Sequence, residues 1–231
     1  KNLKAVGRAG VGVDNIDLQA AKDHGVTVVN APVATTIAVA ELGFGMMFAL
    51  VRDIPHTDAE MKHDKWTKKD YKGHELHGKT LGIVGYGNIG STIGKYAQAL
   101  GMKVLCYDPI RNIDEMRATG ADPVQLEDIY AKADIITFHV PLIPETKHMV
   151  NDETFAKMKD GVLLVNVARG GIIEEAALLR ALENGKVAGA ALDVYEKEPP
   201  VDWTIAEHPR VIAVPHVGGQ TEEAQLRVAG D

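Results

Sequence analysis

The stretch Thr80-Leu81-Gly82-Ile83-Val84-Gly85-Tyr86-Gly87-Asn88-Ile89-Gly90 decides how this chain folds. An apolar strand runs into G-x-G-x-x-G, and a helical pattern over residues 89–100 starts at once. Each glycine has its own physical use at such a turn. Gly85 permits the tight reversal, Gly87 lets the backbone approach a pyrophosphate, and Gly90 lets the helix pack closely on the strand. The helix N-terminus adds unpaired N–H groups and partial positive charge for phosphates. Any tight strand-to-helix turn can use glycine, so the hexapeptide alone is a weak signal. Its context strengthens it. The next strand, 103–107, ends at Asp108, 23 residues after Gly85, near the roughly 20-residue spacing of the acid that holds a ribose diol. That carboxylate would repel a 2′-phosphate, so NAD is expected over NADP. The bland alternative makes Asp108 the start of an Asp108-Pro109 turn. Methyltransferases also use a glycine-rich turn followed by an acid and stay open at this point.

Outward from the loop, short Val- and Ile-rich runs at 5–8, 26–30, 80–84, 103–107, 135–139, 162–166, 187–192 and 211–214 alternate with helix patterns at 36–65, 89–100, 126–132 and 174–183. Several of these runs are apolar almost throughout, as parallel strands covered on both faces should be. The alternation predicts an α/β fold with a doubly wound parallel sheet. In the 36–65 stretch, Ile37, Ala40, Leu42, Phe44, Met47, Phe48 and Val51 cover most of a helix surface, which predicts burial on more than one side, with Pro55 ending or kinking the helix. Such a helix belongs either to the core or to a subunit interface. Trp66 reads as a packing residue. His74-Glu75-Leu76-His77 has the spacing of a metal pair, but it lacks a third ligand and lies between Gly73 and Gly78, so a loop is expected there and no metal.

Of the 231 residues, 25 are Lys or Arg and 32 are Asp or Glu, a formal charge of −7, and 45% are hydrophobic. This is ordinary globular composition, which excludes collagen-like, disulfide-rich and disordered classes. The acidic balance argues against a nucleic-acid binder, whose surface needs clustered Lys and Arg. Cys106 is the lone cysteine and has no internal partner, which fits a reducing compartment. The longest apolar run, 42–51, is about half of a ~20-residue membrane span. The chain opens at Lys1 without methionine, so it is expected to be processed or part of a longer protein.

The second half offers three candidate groups, each just after a predicted strand, where the loops of an α/β sheet form a ligand crevice. They are Arg169 in Asn166-Val167-Ala168-Arg169-Gly170-Gly171, Glu198 in Tyr195-Glu196-Lys197-Glu198-Pro199-Pro200, and His216 in Val214-Pro215-His216-Val217-Gly218-Gly219. Residue chemistry alone does not choose between Glu196 and Glu198. It also leaves the histidine open as a hydrogen-bonded turn residue and the arginine as a solvated loop group.

These segments, together with Gly7-Arg8-Ala9-Gly10-Val11-Gly12-Val13-Asp14-Asn15, Tyr107-Asp108-Pro109, His139-Val140-Pro141 and Ala191-Leu192-Asp193-Val194, resemble the D-isomer-specific 2-hydroxyacid dehydrogenases over essentially the whole chain. Within that family the phosphoglycerate-oxidising branch is the nearest type. The resemblance implies a Rossmann-type NAD-binding domain with remnants of a second, flavodoxin-like substrate domain. It also implies a catalytic set of Arg169, Glu198 and His216. Arg169 would bind the substrate carboxylate with its planar fork, His216 would be the acid/base, and Glu198 would hydrogen-bond and orient that imidazole. Cofactor contacts are implied at Val11, Gly85, Gly87, Asn88, Ile89, Gly90, Asp108, Val140, Val167, Ala168, Arg169, Asp193, His216 and Gly219. Substrate contacts are implied at Arg8, Val11, Gly12, Thr35 and Arg169. Ala34 and Thr35 stand where the phosphoglycerate type usually has Gly-Asn, and a threonine offers one donor where an amide offers a pair.

The activity implied is NAD-dependent oxidation of 3-phosphoglycerate to 3-phosphohydroxypyruvate, the first step of serine biosynthesis, by a cytoplasmic homodimer joined through the 36–65 region. Residues 32–218 would be the NAD-binding domain, with 1–31 and 219–231 remnants of the substrate lobe, most of which the chain lacks. The alternatives are another D-2-hydroxyacid dehydrogenase, of glyoxylate/hydroxypyruvate reductase or D-lactate type, and a non-enzymatic NAD sensor. No metal, membrane or nucleic-acid partner is expected.

Overall fold

The computed structural model of the chain describes residues 2–8, 10–13 and 15–230. Ala9 and Asp14 of the 7–15 motif, and the terminal residues Lys1 and Asp231, lie outside the described residues. The element order is β1 (Ala5–Arg8), α1 (Leu18–Asp23), β2 (Thr27–Asn30), α2 (Thr36–Arg52), α3 (Ile54–Lys62), β3 (Thr80–Val84), α4 (Asn88–Ala99), β4 (Lys103–Tyr107), α5 (Ile113–Ala118), β5 (Asp122–Pro123), α6 (Leu126–Lys132), β6 (Ile135–Phe138), α7 (Asp152–Lys157), β7 (Val162–Asn166), α8 (Glu175–Glu183), β8 (Val187–Leu192), α9 (Thr204–Glu207), β9 (Val211–Ala213) and α10 (Glu222–Gly230). Strands β1 and β2 pair in parallel as a separate two-stranded sheet. The other seven form one sheet in the order β5-β4-β3-β6-β7-β8-β9, with parallel pairing throughout. The order reverses between β3 and β6, the switch point where doubly wound sheets open a ligand crevice.

Both faces of the large sheet are covered, which explains the unbroken apolar character of its strands. Phe44 and Met47 of α2 and Ile93 and Ala97 of α4 pack on Leu81, Ile83, Ile135 and Val165 on one face. Ile129 of α6, Phe155 of α7 and Leu178 and Leu182 of α8 pack on Val84, Ile136, Phe138 and Leu164 on the other. Each fully buried aliphatic side chain contributes about 1.5–3 kcal/mol of transfer free energy. These two layers hold rigid the strand ends that carry the site. Among the described residues, no helix is long and apolar enough to cross a membrane.

The 36–65 stretch is two helices, and the break comes before Pro55. Helix α2 ends at Arg52, Asp53 takes a left-handed conformation (φ 46°), and Pro55 sits in the first turn of α3. A proline at 55 has no N–H to give the carbonyl of residue 51 and its ring crowds that carbonyl. The orphaned Val51 carbonyl instead accepts the N–H of His74 at 2.8 Å. Helix α2 buries Ala38, Val39, Ala40, Gly43, Phe44, Met46, Met47 and Val51. Ile37 and Phe48, expected to be covered, are 43% and 40% exposed. Trp66 corrects the sequence reading more strongly. It is 76% exposed, because it follows α3 on the outside of the molecule and packs on neither core. His74 and His77 lie in a loop, as expected, and no metal-binding group of three ligands occurs among the described residues.

At the end of β6, His139 donates to or accepts from Thr137 Oγ1 through Nε2 at 2.9 Å, while its Nδ1 is buried without a partner. Burial pushes this imidazole down from 6.5 to about 3. The folded protein therefore keeps His139 neutral over a range in which the unfolded chain protonates it. Its contribution destabilises the fold progressively as pH falls from about 6.5 toward 3. Chemical denaturation of wild type and His139→Gln across that range is expected to show a shallower acid loss in the variant; parallel curves would contradict the assignment.

Candidate functional site

All the sequence-marked groups of the large sheet fall at one edge, where the strands end. The chain leaves β3 into Gly85–Gly90, β4 into Asp108, β6 into His139 and Val140, β7 into Val167–Arg169, β8 into Asp193–Glu198, and β9 into His216–Gly219. The glycines take the places their chemistry predicts. Gly85 has φ +91°, and a Cβ there would lie 2.5 Å from the His139 carbonyl oxygen and 2.9 Å from Val140 Cγ1. A Cβ on Gly90 would lie 2.1 Å from the Gly85 carbonyl oxygen, so the helix sits directly on the turn. A Cβ on Gly87 would meet nothing within 4 Å. Gly87 is the N-cap of α4, without a side-chain cap bond, and the first turn formed by Asn88, Ile89 and Gly90 faces this space with its donors.

Asp108 has two structural duties as well as its position. Its Oδ2 accepts the N–H of Tyr86 in the glycine loop at 2.9 Å, and its Oδ1 accepts those of Ile110 and Arg111 at 2.9 and 3.1 Å. It therefore opens the turn at 108–111, as the bland alternative has it, and also lies against the glycine loop. Sequence reasoning missed Arg111, whose Nη1 donates to the Tyr86 carbonyl at 2.7 Å. No motif marks it, because the contact exists only once the two strand ends are neighbours.

The shortest contact among the chemical groups joins Glu198 and His216. Nδ1 of the imidazole lies 2.5 Å from Oε2 of the carboxylate. An ionised carboxylate only accepts, so Nδ1 is the donor and Nε2 is left as the nitrogen open to other partners. Both side chains are partly exposed, 49% and 35%. Oε1 of Glu198 accepts the Tyr195 N–H at 3.1 Å, and the Glu198–Pro199 peptide is cis. The structure thus separates the two acids that residue chemistry left equivalent. Glu198 faces His216, whereas Glu196 faces His148, with Oε1 3.2 Å from Nε2.

His216 stands in the left-handed region, with φ 52°, a conformation that costs a non-glycine residue of order 1 kcal/mol. Asp193 offsets that cost. This carboxylate is 1% exposed, and it accepts the N–H of Val217 at 2.6 Å through Oδ1 and of Gly218 at 2.9 Å through Oδ2. Burial pushes the Asp193 carboxyl up, against the opposing pull of the two N–H donors and of His216. Besides the cofactor contact expected of it, Asp193 has a structural task, since both of its oxygens hold the His216 loop.

Arg169 is half-buried after β7 and donates from Nη1 to the Ala168 carbonyl at 2.6 Å. Buried Asn166 braces the turn, accepting the Ala168 N–H at 3.1 Å and donating to the Arg169 carbonyl at 2.9 Å. The next residue brings this loop against that of Glu198, since a Cβ on Gly170 would lie 1.7 Å from the Tyr195 carbonyl oxygen. Thr35, the N-cap of α2, approaches Gly219, where a Cβ would lie 3.1 Å from Thr35 Cγ2. Arg8 is exposed at the end of β1, and Val11 and Gly12 follow it, with the Val11 carbonyl accepting from Asn30 Nδ2 at 2.6 Å. A surface hollow lined by Asp152, Phe155, Asn184 and Lys186 among others lies at the opposite end of the strands from this chemistry.

Comparison with known proteins agrees with the architecture. Residues 44–218 match the family model for the D-isomer specific 2-hydroxyacid dehydrogenase, NAD binding domain. The chain is 55% identical over 228 residues to D-3-phosphoglycerate dehydrogenase of Bacillus subtilis (strain 168) and 50% identical over 227 to that of Rattus norvegicus. These alignments cover 99% and 98% of the chain but only 43% of either relative, so the chain spans less than half of their length. Among solved structures, a glyoxylate reductase from Paecilomyes thermophila superposes with a TM-score of 0.92 at 37% identity, covering 98% of this chain and 69% of that one. D-lactate dehydrogenase from Aquifex aeolicus, complexed with NAD and lactic acid, does so with 0.91 at 33%, covering 99% and 73%. With its parallel sheet, its glycine turn and its Glu198–His216 pair, the chain belongs to the D-isomer-specific 2-hydroxyacid dehydrogenases.

Proposed function

We propose that this chain is the cofactor-binding and catalytic part of an NAD-dependent dehydrogenase that oxidises 3-phosphoglycerate to 3-phosphohydroxypyruvate. The observation that carries the chemistry is the 2.5 Å contact between His216 and Glu198 at the edge that also holds the glycine turn. The residues present fit NAD: open space above Gly87, the uncapped first turn of α4, and an acid at Asp108. Gly85, Gly87, Asn88, Ile89 and Gly90 would hold the pyrophosphate and Asp108 the ribose diol, with Val140, Val167, Ala168, Asp193 and Gly219 along the rest of the dinucleotide. When bound, NAD supplies the hydride acceptor. Arg169 receives the substrate carboxylate and polarises the C2 oxygen. His216 takes the hydroxyl proton at Nε2, the nitrogen that Glu198 leaves open, and returns it in the reverse direction. Glu198 stabilises the imidazolium so formed and keeps Nε2 aimed outward.

The choice of 3-phosphoglycerate among 2-hydroxy acids rests on the 55% and 50% identities to phosphoglycerate enzymes, set against 37% and 33% to a glyoxylate reductase and a D-lactate dehydrogenase. Arg8, exposed at the end of β1, is the cation suited to the substrate phosphate. Val11 and Gly12 would offer backbone N–H groups to the carboxylate, with Thr35 supplying a single donor where an amide is usual. Residues 32–218 form the NAD-binding domain on this reading, and 1–31 and 219–231 belong to the substrate lobe; the separate pairing of β1 with β2 supports that division. A homodimer through the 36–65 region is supported by Ile37, Phe48, Ile54 and Met61, all exposed.

Calorimetry of the chain with NAD tests the binding half of the proposal. Gly87→Ala, whose methyl enters open space, is expected to leave the melting temperature nearly unchanged and weaken NAD about tenfold or more; equal affinity would remove the pyrophosphate from that position. Asp108→Asn keeps an oxygen for the turn and removes the charge, so the ratio of NADP to NAD affinity is expected to rise roughly tenfold, by about 1.4 kcal/mol. An unchanged ratio refutes the ribose assignment. In a protein carrying both lobes, His216→Ala is expected to lower turnover of 3-phosphoglycerate at the reduced-nicotinamide absorbance band by about 10²–10⁴-fold with NAD affinity preserved. Loss of NAD affinity in step with turnover would make the histidine structural, and binding without turnover of any hydroxy acid would favour an NAD sensor.

A further inference from the structure

The loop that carries Glu198 is held from its far side by a group that takes no part in proton transfer. Glu175 opens α8, and its Oε1 accepts the backbone N–H of Glu196 at 2.7 Å. In return, Oε1 of Glu196 accepts the backbone N–H of Glu175 at 2.9 Å. The same Glu196 oxygen faces His148 Nε2 at 3.2 Å, and His148 is itself tied down by donating its backbone N–H to the Gly171 carbonyl at 2.7 Å. Two reciprocal bonds therefore fasten the first turn of α8 to the 193–198 loop, two residues before Glu198. On the loop's other flank Gly170 packs against the Tyr195 carbonyl. Tyr195 then donates its N–H to one oxygen of Glu198, and the other oxygen meets His216.

We propose that Glu175 is a positioning residue for the Glu198–His216 pair, acting through the reciprocal bonds with Glu196 that hold the loop from which Glu198 reaches the imidazole. The geometry is one argument. A contact of 2.5 Å tolerates displacements of only a few tenths of an ångström before it weakens, and the segment 196–199 is exposed, with little packing of its own to hold it. The helix end is another. The N-cap of α8, Glu174, makes no side-chain cap bond, so the cap comes across the gap from Glu196, which couples the helix to the loop. Burial pushes the Glu175 carboxyl up, the Glu196 N–H that it accepts pulls it down, and the neighbouring Glu196 and Asp202 add to the push while His148 opposes it.

The catalytic consequence rests on reading His216 as the acid/base, but the clamp acts on the pair without cofactor or substrate. Imidazole ¹H–¹⁵N NMR of the 231-residue chain, labelled at histidine, reads it directly. Donation from Nδ1 to Glu198 fixes one ring tautomer, which gives a ¹⁵N signal pattern read through the carbon-bound ring protons and assigned by its disappearance in His216→Gln. Glu175→Ala is expected to lose that signal while melting cooperatively. Glu175→Gln, whose amide oxygen still accepts the Glu196 N–H, is expected to retain it. An unmoved His216 signal in folded Glu175→Ala overturns the proposal. Should Glu175→Ala not fold, Glu196→Ala removes the return bond and carries the same expectation and the same refutation. A lack of NAD binding or turnover would defeat the proposed function and leave this readout unchanged, so the two fail separately.

Discussion

Parallel pairing obliges strands β3 to β9 to leave the sheet at one edge, since each crossover must travel back before the next strand can begin. That constraint gathers into one rim residues that are more than a hundred positions apart in the chain, from Gly85 to His216. The reversal of strand order between β3 and β6 places the glycine turn at the switch point, where doubly wound sheets open a ligand crevice. The two buried layers of side chains beneath keep the strand ends fixed, which a proton-transfer geometry requires. The fold supplies the place, and the loops supply the chemistry.

Within that rim, carboxylates do most of the organising, and each has a distinct task. Asp108 braces the glycine loop through the Tyr86 N–H. Asp193, buried at the end of β8, grips the two N–H groups after His216 and so sustains its left-handed backbone. Glu198 accepts the hydrogen bond from Nδ1 of His216, and Glu196 turns away to α8 and His148. Two acids separated by one residue thus serve opposite sides of a single loop. An acidic chain with −7 formal charge uses these groups as backbone acceptors, which is what lets them sit close together.

Much of the architecture was legible because period and composition report local physics. Strands at 80–84, 103–107, 162–166 and 187–192 were predicted residue for residue, since strands buried on both faces are apolar runs with sharp polar or glycine boundaries. The two-residue strand β5, Asp122–Pro123, carries no such run and was missed. The 36–65 stretch read as a helix ended or kinked at Pro55, and the break falls at Asp53 instead, because a single left-handed residue leaves no periodic trace. Trp66 read as a packing residue because aromatics usually are, yet what covers a residue after a helix depends on where the chain has gone.

Sequence alone determined most of the strands and helices, the glycine turn between β3 and α4, and which residue types stand at each strand end, because these leave a local pattern of period, composition and turn residues. The tertiary structure decided which of Glu196 and Glu198 meets His216, that Asp193 serves the backbone of the histidine loop, and that Arg111 reaches the glycine turn. Those choices are distances between loops joined only through the sheet. A hydrogen bond made or missed across a few tenths of an ångström has no counterpart in the spacing of residues along the chain.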